Sequence, residues 1–148
     1  MAAIAIVLGV AALIVALTRP TPNSVAGITT TTSAAPTYSA AEVASAHKKL
    51  CDVYNAAARA VQIETNGDNP ALSGVAVVNG ALMLEHVVNT TPSISPGDRA
   101  AALTLAEAYS NSQARAASVQ QRDDPVWQST IGDVNAKDAA MKKVCGGG

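Results

Sequence analysis

The sequence predicts an all-α protein: an N-terminal transmembrane helix, a disordered tether and an up-down-up-down four-helix bundle closed by one disulfide. Three observations carry this reading. Residues 2–17 form an unbroken apolar run, AAIAIVLGVAALIVAL. Four helix-start signals follow, and three of them share one design, a capping side chain before a proline: Asn69-Pro70, Ser95-Pro96 and Asp124-Pro125. The two cysteines, Cys51 and Cys145, fall near the same level of an antiparallel bundle.

Composition agrees with a helical class and excludes others. At 148 residues the chain has room for one domain with a modest core. Ala dominates, and Ala loses no side-chain entropy on becoming helical. Ten basic and eleven acidic residues leave a net charge of −1, so no nucleic-acid partner is expected. Aromatic residues make up 3% of the chain, too few for a stacking platform.

The first element is the apolar run. With Met1 and Thr18 it gives a transmembrane anchor over residues 1–18. A cleaved signal peptide fits less well, because no basic residue precedes the run and the small-residue stretch SVAG at 24–27 lies far downstream. Counting Arg19 alone, the positive-inside rule puts the remainder in the cytoplasm. Nothing precedes the span in this sequence, and a native start further upstream would change that count. Residues 19–37 are rich in Thr, Ser, Ala and Pro, a composition that buries no core and forms an extended linker. Residues 38–148 are the bundle, expected outside the cytoplasm for the reason the cysteines give below.

Ser39-Ala40-Ala41-Glu42 is a capping box, and a helix runs from it to about Thr65. NGDNP then stops it, with Gly67 offered as a left-handed C-cap. A proline at the first helical position loses no hydrogen bond, since its missing N–H has no partner there. Pro70, Pro96 and Pro125 thus open helices expected over 70–90, 96–121 and 125–145. Short connections make neighbours antiparallel. Val43, Leu50, Tyr54, Ala57 and Val61 share one face of the first helix, and Trp127, Ile131, Val134, Met141 and Cys145 one face of the last. The third offers Leu103, Ala106 and Tyr109.

In that register Cys145 is level with about Ala46, and Cys51 is only ~7 Å further along at about 1.5 Å per residue. A Cys51–Cys145 disulfide is therefore expected. It would fasten the last helix to the first and requires an oxidising compartment. The tail CGGG lacks the aliphatic positions of a prenylation box.

Catalytic chemistry finds little support. His47 and Cys51 are one turn apart, and with His86 and Cys145 could make a Cys2His2 metal set, but a disulfide consumes both thiols. Cys51 has no glycine-rich turn or helix N-terminus to activate it. Asp52, Glu64, Glu107 and Asp138 read as surface charges. No phosphate loop or dinucleotide fingerprint occurs. The expectation is a protein that is not an enzyme and takes no cofactor.

The second helix, ALSGVAVVNGALMLEHVV, is apolar on most of its circumference. In a four-helix bundle no helix is surrounded, so part of Val77, Val78, Leu82, Leu84 and Val88 should form a contact surface.

The anchor ending IVALTRP, the Thr/Ala/Pro linker, AEVASAHKKLCDVYNAAARAVQIETNG and the closing DVNAKDAAMKKVCGGG resemble a group of uncharacterised mycobacterial and other actinobacterial alanine- and proline-rich single-pass membrane proteins. The resemblance covers most of the chain and implies no activity and no functional residue. Together these readings give an expected function: a module of the cell envelope, held to the cytoplasmic membrane with its C-terminal domain outside, that binds an envelope protein or itself. The alternative is a small-ligand or lipid carrier with a cavity between its helices.

Overall fold

The caps seen in the sequence begin every helix. A computed structural model of the chain describes residues 36–119 and 121–146. The anchor at 1–18, and the linker at 19–37 up to Ala35, lie outside the described residues. Four helices are present and no strand among the described residues: α1 (Ala40–Thr65), α2 (Pro70–Thr90), α3 (Pro96–Ala116) and α4 (Pro125–Val144).

The capping box at α1 is complete. Ser39 Oγ accepts from the Glu42 N–H at 3.3 Å, and Glu42 Oε2 accepts from the Ser39 N–H at 2.7 Å. The Ser39 N–H, then its hydroxyl, hold the Glu42 carboxyl below its ordinary range. Asn69 caps α2 through Ala71 N–H, Ser95 caps α3 through Asp98 N–H, and Asp124 caps α4 through Val126 and Trp127 N–H.

Helix ends differ from the expectations in two places. Gly67 is not the left-handed cap of α1, because Gly146 is the only described glycine with positive φ. Asn66 caps α1 instead: its backbone N–H and its side-chain Nδ2 both donate to Gln62 O. The third helix stops at Ala116, five residues short of the expected 121. Its last buried side chain is Ser112, so the following turn has no packing to hold it, and the Ser118 N–H and hydroxyl both take the Arg115 carbonyl. Gly146, with φ +72°, ends α4 and donates to Lys143 O, a role only a glycine fills without strain. The C-terminal carbonyls of α2 are met from α3, where Arg99 donates to Val88 O at 2.9 Å and to Thr91 O at 3.3 Å.

α1 packs along α2, α2 along α3, and α3 along α4. Cross-helix neighbours show successive helices antiparallel: Lys49 reaches Thr91, and Gly80 lies against both Val61 and Tyr109. The core is Leu50, Tyr54, Leu84, Leu105, Tyr109 and Met141, with alanines filling between them. Small side chains allow close approach: a Cβ on Gly80 would stand 3.2 Å from the Tyr109 ring. No buried side-chain nitrogen or oxygen among the described residues lacks a hydrogen-bond partner.

Four expected core positions on α3 and α4 are not fully buried. Leu103 is exposed, and Leu105 takes the inward place on α3. On α4 only Met141 is fully buried, while Trp127, Ile131 and Val134 are half-buried. The reason is the fourth side of the bundle. α4 meets α1 near its C-terminal end, through Tyr54 to Asp138 and Cys51 to Cys145, so its N-terminal half has only α3 for close support.

Candidate functional site

The disulfide end is built by three helices. Cys51 and Cys145 have Cα atoms 5.4 Å apart and sulfurs 2.09 Å apart, bridging positions 94 residues apart in sequence. One turn before Cys51, His47 brings Nε2 to 3.7 Å from Cys51 Sγ. The other ring nitrogen, Nδ1, is 2.8 Å from Asp98 Oδ2 on the first turn of α3. The backbone N–H of Asp98 is itself fixed by Ser95 Oγ. The spacing of His47 and Cys51 was legible in the sequence. Asp98, 51 residues from His47, was not.

The outer face of α2 is the second feature. Val77, Leu84 and Val88, read from the sequence as part of a contact surface, are buried against the core and do not belong to one. They lie on the helix face turned to α1 and α3 together with Ala76, Ala81 and Val87. Val78 and Leu82 are exposed, at 43% and 56%. Leu72 at 47% and Val75 at 55% join them, as does Met83. Along the middle of this face run Leu72, Val75, Asn79, Leu82 and His86, all exposed and spaced alternately three and four residues apart. The sequence held that spacing. It was hidden because the apolar inner face of α2 blurs the phase. By length and composition α2 is also the one described helix able to cross a membrane, yet seven of its 21 residues are buried in the bundle.

No family of proteins, no curated protein and no solved structure matches the chain.

The third feature is a cleft of about 550 Å³ at the bundle end away from the disulfide, where α4 stands off from α1. Val61 and Glu64 of α1, Val77 of α2, and Trp127, Ile131 and Val134 of α4 line it. Apolar surface thus faces a space large enough for a small molecule, and Gln113, Gln121 and Arg122 add polar groups to its lining.

Among the described residues no three His, Cys, Asp or Glu side chains converge as metal ligands. His86, which a Cys2His2 set would need, is exposed on the outer face of α2. Asp138 is not the plain surface charge it was read as. Half-buried, it accepts from the Tyr54 hydroxyl at 2.7 Å and pairs with Lys142 at 2.8 Å. Burial, and then Asp138, pushes the Tyr54 hydroxyl far above its ordinary range; burial, with a smaller push from Asp138, raises Tyr109 to about 12.

Proposed function

We propose that residues 38–148 are a binding module of the cell envelope, tethered to the cytoplasmic membrane by residues 1–18 and lying outside it, whose contact face is the outer side of α2. The observation that carries this is the set of exposed apolar side chains Leu72, Val75, Val78 and Leu82 on one helix, more than scattered surface leucines supply. Their setting favours a second helix as partner. The alternating three- and four-residue spacing from Leu72 to His86 is that of a coiled-coil seam, and Asn79 sits mid-seam where a polar residue selects a two-stranded register. A second copy of the chain, paired symmetrically through α2, satisfies this pattern. The Cys51–Cys145 bridge supports an oxidising compartment, hence the outward orientation.

A photo-crosslinking residue in place of Leu82, in intact cells, tests the contact. Capture of a second copy supports the reading; absence of any product at Leu82 and Val75 rejects it. An alkaline phosphatase fused after Gly148 tests orientation, and an inactive fusion overturns it.

The cleft supports a second reading, a carrier of a small apolar ligand or lipid held against Trp127 and Ile131. Its volume lies within the roughly 300–1,000 Å³ common for ligand sites. Native mass spectrometry of the purified protein decides this: a co-purifying lipid supports it, and a bare polypeptide mass speaks against it.

A further inference from the structure

The disulfide has company that a purely structural bridge does not need. Asp98, His47 and Cys51 form a line: carboxylate to Nδ1 at 2.8 Å, then Nε2 to sulfur at 3.7 Å. In a reactive thiol site this order of groups orients an imidazole and stabilises the thiolate it faces. Here the sulfur at the end of the line is half of a disulfide. The two sulfurs also differ in setting. Cys51 is 8% exposed, in the interior of α1, whereas Cys145 is more open, just past the end of α4.

We infer that Cys51–Cys145 is an exchange-active disulfide, attacked at Cys145 by a thiol of a partner protein, with His47 and Asp98 assisting the departure of Cys51. This goes beyond the binding module proposed above and does not depend on it. An external thiolate forms a bond to Cys145 Sγ as the Cys51–Cys145 bond breaks. The electron pair of that bond leaves on Cys51 Sγ, which departs as a thiolate facing His47 Nε2 and takes a proton from water through the imidazole, while Asp98 holds the ring from Nδ1. The second thiol of the same external dithiol, having lost its proton to water, then attacks the partner's sulfur in the mixed disulfide and releases Cys145 as a thiolate, which takes a proton from water. The bundle gains two electrons and two protons overall, and the external dithiol is oxidised to a disulfide. Exchange runs faster when the leaving thiol is the better thiolate. His47 acts on the leaving group, and Asp98 is a positioning residue that acts through His47.

The test measures the rate at which dithiothreitol reduces the bridge in the full-length chain at neutral pH, with site mapping of the adduct formed by a bulky monothiol. His47→Ala is expected to slow reduction on the order of tenfold, and Asp98→Asn by a smaller factor. The bulky thiol is expected on Cys145. The sign separates this from a structural role, because loss of a merely structural pair loosens the bridge and speeds its reduction. His47→Gln, which keeps a polar side chain of similar reach, replaces the alanine variant if the latter melts early. Unchanged or faster reduction in the His47 variant, or capture of the thiol on Cys51, overturns the proposal.

Discussion

The Tyr54 hydroxyl on α1 donates to the Asp138 carboxylate on α4 at 2.7 Å, one of two hydrogen-bonded or covalent side-chain links across α1 and α4 among the described residues. The other is the disulfide one turn earlier on α1. Together they decide where α4 is held and where it stands free.

Tyr54→Phe removes the donor and leaves the ring in place. A hydrogen bond to a charged acceptor contributes about 1.5–3 kcal/mol. Asp138 keeps Lys142, so a loss near the lower end is expected, read as a lower melting temperature with unchanged helical content.

Alkaline pH acts on the same region. Tyr54 and Tyr109 have folded-state pKa values above their ordinary value of 10. Their contribution is therefore fully present below pH 10 and is lost as pH rises from there toward the folded values. Denaturant melts should be insensitive to these two groups near neutrality and show falling stability above pH 10. Tyr54→Phe should flatten that fall. An equal alkaline fall in the variant contradicts the assignment to Tyr54.

Loss of the bridge should be costly. Removing a native disulfide from a small domain costs about 2–5 kcal/mol, and each kcal/mol lowers the melting temperature of a domain near this size by roughly 4–8 °C. Cys145→Ser should thus melt at least about 8 °C lower. Thiol labelling of the denatured, unreduced native protein should find no free cysteine in residues 36–146.

Much of the fold was legible because its signals are local. Ser39, Asn69, Ser95 and Asp124 cap helices where the sequence placed them, since a cap needs only the next three residues. The cysteine pairing was legible from axial arithmetic. What escaped depends on neighbours distant in sequence. Leu103 and Leu105 both suit a helix, and only packing in the shared core chooses Leu105. Ile131 lies on the expected core stripe yet is half-buried, because α4 diverges from α1 at that level. Of the five residues the sequence offers as a contact surface, the structure puts Val78 and Leu82 outside and Val77, Leu84 and Val88 inside, a separation of phase that an apolar helix does not declare. The pairing of His47 with Asp98 required the tertiary structure.

Glycines at two positions should respond with opposite sign. A Cβ at Gly132 meets nothing within 4 Å, so Gly132→Ala should stabilise α4, by roughly 0.5–1 kcal/mol. A Cβ at Gly80 would stand 3.2 Å from the Tyr109 ring and 3.4 Å from Val61 Cγ2. Tyr109 is buried and has little room to yield, so Gly80→Ala should destabilise by about 1–3 kcal/mol. Thermal melts of the two variants check this directly.

One face of α2 holds the fold, and the other is the proposed contact. Leu82 and Leu84 are two residues apart, the first 56% exposed and the second fully buried. The fragment 36–148, a compact unit with its own core, should associate with concentration in sedimentation equilibrium. Leu84→Asp should unfold it, because it buries an unpaired charge. Leu82→Asp should melt within about 0.5 kcal/mol of the parent and sediment as a monomer. A parent fragment that stays monomeric at every concentration, or a Leu82→Asp variant that associates as the parent does, contradicts the account.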